Sequence, residues 1–91
     1  MALSGQKKTG TPGSTAVQLG DQQISGALMI KALLANTGNI YVGDSTTSAS
    51  VGLELDAGEA IIFEYVGNLN TIYIASSVDA EGVSWMMLEV M

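Results

Sequence analysis

Residues 28–43 constrain the fold of this chain more than any other segment, because two apolar runs there flank a short turn. The turn contains Asn36 and Gly38, which are residue types that tolerate left-handed backbone angles. Good helix formers are common in residues 28–35, so a helix is the competing prediction for the first run. That run is short and uncapped, however, and turn residues follow it at once. We therefore predict a β-hairpin whose second strand is residues 39–43.

The rest of the chain repeats this pattern of short apolar segments separated by glycine, asparagine and serine. Segments of this length and spacing are typical of antiparallel sandwiches and small barrels. The predicted fold class is all-β, as a small antiparallel β-sandwich or barrel of the jelly-roll-like kind. The further predicted strands are residues 14–19, 53–55, 60–66, 71–76 and 83–90.

The N-terminal segment differs from the rest in composition. Residues 4–13 are Ser, Gly, Gln, Lys, Thr and Pro, with almost no apolar content. Terminal segments of this kind are commonly mobile. We predict a flexible N-terminal arm at residues 1–13 and one β-sandwich domain at residues 14–91, since 91 residues suit a single domain. The functional alternative is an arm that becomes ordered when it docks on a neighbouring subunit.

The alternation of side chains along the predicted strands selects a candidate core, because residues two apart in a strand share a face. The predicted core residues are Leu28, Ile30, Leu34, Ile40, Val42, Leu53, Leu55, Ile61, Phe63, Ile72, Ile74 and Trp85.

The last predicted strand is apolar on both of its faces. Residues 85–88 read Trp-Met-Met-Leu, whereas strands with one solvated face normally alternate. This strand is either covered on both sides within the domain or lies at a subunit interface, where Met and Trp are favoured. Only 13% of the residues are charged, against about 25% in an average domain. We therefore expect a partner to cover part of the surface.

Charge and residue types exclude several classes of function. The formal net charge is −6 and Lys plus Arg number three, so binding to nucleic acid or to anionic membranes is not expected. The chain has no Cys and no His, which excludes the usual catalytic triads and thiolate or imidazole metal sites. The acidic turns at residues 56–59 and 79–81 are expected to be solvated. We predict that the chain is not an enzyme and that it uses no cofactor and no metal.

The aromatic residues allow one alternative binding site. Tyr41, Tyr65, Tyr73 and Trp85 could form a platform on which sugars stack. Aromatic residues are also enriched in ordinary sheet packing, which is the favoured interpretation.

Several motifs resemble a known family. The motifs are Lys-Ala at 31–32, Asn-Thr-Gly-Asn-Ile-Tyr-Val-Gly at 36–43, Gly-Leu-Glu-Leu at 52–55, Ala-Gly-Glu at 57–59, Asn-Leu-Asn-Thr-Ile-Tyr-Ile at 68–74 and Gly-Val-Ser-Trp at 82–85. Together they resemble a small β-domain of structural proteins in tailed bacteriophages and prophages, including head decoration (cement) proteins. The resemblance covers residues 14–91.

This resemblance implies a structural protein of the virion, made in the cytoplasm of the bacterial host and located on the capsid surface. It would bind the outside of the major capsid protein lattice as a homo-oligomer, often a trimer, and stabilise the expanded head. The alternative is a receptor- or carbohydrate-binding module of a head fibre or tail. The predicted protein-interface residues are Lys7, Lys8, Thr11, Pro12, Trp85, Met86, Met87, Leu88 and Val90.

Overall fold

The computed structural model describes residues 4–24 and 26–88, and these residues form an all-β fold. No helix among them is long and apolar enough to cross a membrane. A 3-10 helix, Leu69–Thr71, precedes the seventh strand. The strands are β1 (Ser4–Lys8), β2 (Val17–Gln18), β3 (Ala27–Ala32), β4 (Ile40–Gly43), β5 (Leu53–Leu55), β6 (Ala60–Phe63), β7 (Tyr73–Ser76) and β8 (Gly82–Leu88).

The strands form two four-stranded antiparallel sheets that share one core. Sheet I has the strand order β1-β8-β3-β6, and sheet II has the order β2-β7-β4-β5. The prediction of an all-β sandwich is confirmed. Within the described part of the chain both sheets stay open at their edges, so the barrel alternative is not formed.

The predicted hairpin at residues 28–43 is wrong, because its two strands lie in different sheets. β3 pairs with β6 and β8, whereas β4 pairs with β5 and β7. The connecting loop is anchored to the start of β8 instead. The Asn36 side chain donates to the carbonyl of Gly82 at 2.8 Å and accepts from its N–H at 2.9 Å. Residues 33–39 therefore carry the chain from sheet I across to sheet II.

The core lies between the two sheets and includes most of the residues predicted for it. Seven of the predicted residues are buried, namely Leu28, Ile30, Ile40, Val42, Leu55, Ile74 and Trp85, and three more, Ile61, Phe63 and Ile72, are partly buried against them.

Two predicted core residues are exposed, and several buried ones were not assigned. Leu34 is 76% exposed because β3 ends at Ala32, and Leu53 is 48% exposed because it lies in the edge strand β5. The remaining core side chains come from connections between strands, from the end of β3 and from the inner face of β8. These unassigned core residues are Leu19, Ile24, Ala32, Val66, Leu69, Val83 and Met87.

The N-terminal segment is a strand rather than a flexible arm. Ser4–Lys8 forms β1, which pairs antiparallel with β8 along its whole length. The indole of Trp85 lies over Gly5, and a Cβ added there would meet the ring carbon Cζ2 at 2.9 Å. The predicted arm at residues 1–13 is therefore corrected over residues 4–8, which form a strand, and residues 1–3 lie outside the described part.

The composition of β1 explains why it resembles a mobile tail. An edge strand is held chiefly by backbone hydrogen bonds to one neighbour, so it needs few apolar side chains. Gln6 and Lys8 lie on the solvent side, and Gly5 leaves space for an aromatic ring. The side chain that packs on this strand belongs to Trp85, which lies 80 residues after Gly5 in the sequence.

We expect the substitution Gly5→Ala to lower the free energy of unfolding by about 1–3 kcal/mol, because the new methyl group forces a buried ring to move. Gly10→Ala is the matched control, since a Cβ at Gly10 meets its nearest atoms at an ordinary 3.7 Å. Urea unfolding of both variants measures the difference. Equal midpoints for the two would contradict the packing of Trp85 on β1.

Candidate protein-interaction surface

The outer face of sheet I carries an apolar row across three strands. The registers place Met86 of β8 opposite Met29 of β3, and Met29 opposite Ile62 of β6. Their neighbours Ile30 and Trp85 are buried in the core, so the row points away from it. Met86 is 46% exposed and Ile62 is 53% exposed. No segment of residues 4–24 or 26–88 covers this apolar row completely.

Two further residues extend this row along β8 and β3. Leu88 lies opposite Ala27, and both are half-buried. We refer to Ala27, Met29, Ile62, Met86 and Leu88 together as the methionine face. Single apolar residues on a surface are ordinary, whereas a contiguous apolar patch with a polar border marks an interaction site.

A groove of about 380 Å³ adjoins the methionine face where β1, β8 and β3 run side by side. Met29 and Met86 contribute its apolar part, and Gln6, Lys31 and Ser84 contribute polar groups. An apolar centre with a polar rim is the usual arrangement of a protein–protein interface. The surface therefore has the chemistry of a docking site.

The two faces of β8 differ in their exposure to solvent. Trp85 and Met87, both predicted as interface residues, lie in the core with 8% and 7% of their surface exposed. Met86 and Leu88 lie on the outer side, within the methionine face. Val90 lies outside the described residues. Of the described β8 residues predicted to contact a partner, only the outward pair is accessible to one.

The predicted contact residues near the N-terminus do not form a single patch. Lys7 is half-buried and shares the inner side of sheet I with its partner Val83. Lys8 is exposed on the outer side, and Thr11 and Pro12 are exposed in the loop after β1. The alternation within β1 thus separates the two lysines.

The four aromatic residues are also separated. Tyr41 and Tyr73 lie on the outer face of sheet II, opposite Ala75 and Gly43 respectively, while Trp85 is in the core. Tyr65, beyond the end of β6, is 74% exposed. The platform of four aromatic side chains is therefore not formed.

Polar neighbours hold the phenol groups of the two sheet II tyrosines. The Tyr41 hydroxyl donates to Glu54 at 3.3 Å, and the Gln18 amide donates to the Tyr73 hydroxyl at 3.2 Å. Burial, followed by the charge and hydrogen bond of Glu54, raises the pKa of Tyr41. The Tyr41 phenol therefore remains protonated at neutral pH, where tyrosine is uncharged.

The acidic turns have structural contacts. Glu59 accepts the N–H of Asp56 at 2.7 Å, and Asp79 accepts the N–H of Gly13 at 2.6 Å. In a separate loop, hydrogen bonds from the hydroxyl and N–H of Thr46 lower the pKa of Asp44. Among residues 4–24 and 26–88, no group of three acidic side chains is placed to hold a metal ion.

Glu81 is buried, which corrects the expectation that its turn is solvated. Its Oε1 accepts the N–H and hydroxyl of Thr37, both at 2.8 Å, and the N–H of Gly38 at 2.9 Å. Burial acts to raise the pKa of Glu81, but the hydrogen bonds from Thr37 and Gly38 together hold it below its ordinary value. The carboxylate fastens the loop before β4 to the start of β8.

Comparisons of this chain with models of protein families, with curated protein sequences and with solved structures find no match.

Proposed function

We propose that this protein is a structural component of a tailed-phage or prophage virion. In this proposal it is a decoration (cement) protein that binds the outer surface of the major capsid protein lattice and stabilises the expanded head. The observation that supports it most directly is the methionine face, an open apolar sheet surface on a chain with few charges. The motifs at residues 36–43 and 68–74 support the choice of a capsid as the partner.

Binding alone would account for the stabilising effect. A subunit that binds the expanded shell more tightly than other states of the shell stabilises that state by mass action. Burial of the methionine face supplies the free energy, at roughly 25 cal/mol for each Å² of apolar surface removed from water. The polar groups of Gln6, Lys31 and Ser84 at its border orient the subunit on the lattice.

The proposal includes a homotrimer located on the capsid surface after synthesis in the bacterial cytoplasm. Domains of this size gain stability from association, because a partner covers apolar surface that a small core leaves exposed. The net charge of −6 supports partners other than nucleic acid or anionic membranes, since both would be repelled.

We expect the double substitution Met86→Lys and Ile62→Lys to weaken binding to isolated expanded capsids at least about tenfold, because two charges would be desolvated in an apolar contact. Co-sedimentation of the protein with capsids of the phage or prophage that encodes it measures the affinity. Light scattering of the free protein determines whether its mass is three times 9.4 kDa.

A matched control uses Val51→Lys together with Leu53→Lys, which places the same two charges on exposed apolar residues of β5 and of the loop before it. Val51 is 50% exposed and Leu53 is 48% exposed, close to the values of the test pair. The control should bind capsids like the unmodified protein. A wild-type protein that ignores capsids, or test and control variants that bind equally well, would refute the docking role.

A further inference from the structure

We propose that a cleft between the edge strands β1 and β2 binds a neutral carbohydrate, with the ring of Tyr73 as the stacking surface. The cleft has a volume of about 590 Å³, and small-molecule sites occupy about 300–1,000 Å³. Lys7, Gln18, Asp21 and Tyr73 supply its functional groups. This inference goes beyond the proposed capsid role and does not depend on it.

The cleft lies where the edge strands of the two sheets approach each other. Lys7 lines it from β1, and Val17 and Gln18 line it from β2. Lys7 occupies the inner position there, opposite Val83, where a fully covered strand would carry an apolar residue. Gly20, which follows β2, adds no side chain to fill the space.

Tyr73 provides an aromatic surface that is held in place. Its side chain is half-buried beside Gln18, its register partner in β2. The Gln18 amide donates to the Tyr73 hydroxyl at 3.2 Å, which fixes the ring and leaves the phenol hydrogen free to donate to a ligand. A ring with an apolar face and a polar tip suits a sugar, which has an apolar C–H face and hydroxyls at its edge.

Around this ring the cleft offers both hydrogen-bond donors and hydrogen-bond acceptors. The Lys7 ammonium makes no hydrogen bond or ion pair with any residue of the described ranges, so its three hydrogens are available. One Asp21 oxygen accepts from Asn70 at 3.3 Å, and the other is open to accept, as is the Gln18 carbonyl oxygen. Sugar hydroxyls both donate and accept, so such a mixed set is complementary to them.

The charges of the cleft favour a neutral sugar over an acidic one. Among the described residues that line the cleft, Lys7 is the one cation, and Asp21 opposes it within the same cleft. The chain as a whole carries a net charge of −6, which lowers the local concentration of anionic ligands. Phosphate and carboxylate groups are therefore disfavoured.

The experiment is a glycan array that includes neutral and acidic oligosaccharides, followed by NMR titration with the best neutral disaccharide. The expected result is binding with shifts confined to residues 16–21, Lys7 and Tyr73. Tyr73→Ala and Asp21→Ala should each weaken this binding about tenfold or more. Asp21 is exposed, so its variant keeps the test valid if Tyr73→Ala fails to fold.

Two matched controls lie outside the cleft. Tyr65→Ala removes a tyrosine that is 74% exposed, and Asp56→Ala removes an exposed turn carboxylate; both should bind the sugar normally. No binding to any neutral glycan, binding only to acidic glycans, or equal binding by test and control variants would each overturn the proposal. The capsid-docking variant of the methionine face should still bind sugar, so the two roles fail separately.

Discussion

Removal of residues 1–13 is expected to abolish the stable fold rather than only to weaken contact with a partner. The deletion takes away β1, which exposes the edge of β8 and the face of Trp85. Domains of this size are stable by only about 5–15 kcal/mol, and the loss of one of four strands in sheet I consumes much of that margin. Thermal melts followed by circular dichroism, with amide NMR dispersion, measure the effect.

The loop after β1 adds to the expected loss. Thr9 donates its N–H to the carbonyl of Glu81 at 2.8 Å, and its hydroxyl lies 2.7 Å from that of Ser76. The carbonyl of Gly13 accepts the N–H of Ser76 at 2.8 Å. Without residues 1–13 these buried groups lose their partners, and an unsatisfied buried polar group costs about 1–3 kcal/mol.

A peptide of residues 1–13 added to the truncated protein provides the positive control. It should restore the fold by pairing with the free edge of β8, as extended peptides do at open sheet edges, whereas a scrambled peptide should not. If the truncated protein melts at the same temperature as the full chain, the segment contributes nothing to the fold and the flexible-arm interpretation is reinstated.

Glu81→Ala is expected to lower the free energy of unfolding by about 3 kcal/mol, because three donors lose a buried, charged acceptor. The affected donors belong to Thr37 and Gly38, so the loop between the sheets should become more mobile. Glu59→Ala is the matched control, since Glu59 is exposed and accepts one hydrogen bond. Urea unfolding compares the free energies of unfolding of the two variants. If Glu81→Ala were as stable as Glu59→Ala, the role of Glu81 in holding the loop would be contradicted.

We expect the free energy of unfolding to fall in acid, because the Glu81 carboxylate becomes protonated there. Its pKa is lower in the folded chain than the ordinary value, so its contribution is complete above about pH 4.3, the ordinary glutamate pKa. The contribution declines as the pH falls below that value and through the folded pKa. Glu81→Gln should flatten the decline, so unfolding midpoints of both proteins between neutral and acidic pH provide the measurement.

The fold class could be predicted because it depends on local patterns. Alternating apolar residues and frequent turn residues indicate short strands, and this signal is the same whichever strands pair with one another. The pairing partners depend on distant residues, which is why residues 28–43 have the sequence pattern of a hairpin although their two strands lie in different sheets. Its turn residues are typical of hairpins, but Asn36 bonds to Gly82 and Thr37 to Glu81, and nothing local encodes those contacts.

The candidate surface was predicted in part. The apolar character of both faces of β8 indicated that one of them could meet a partner. Sheet II covers one face of β8, and this packing decides which methionine is buried. Met87 points inward and Met86 points outward. Ile62 and Met29 complete the face from other strands, and only the register of sheet I brings them together. The cleft at Tyr73 depends likewise on long-range structure, because its residues come from β1 and β2, which are edge strands of different sheets.

The pairing of β1 with β8 has a consequence for the order of events during synthesis. The first and last described strands are neighbours, so sheet I cannot be completed until Gly82–Leu88 has left the ribosome. Long-range pairing of this kind slows folding, because the chain entropy lost in closing a large loop comes before the stabilising contacts form. The methionine face takes two of its residues from β8 and is therefore assembled last. A nascent chain cannot offer the finished surface to a partner before Leu88 has left the ribosome.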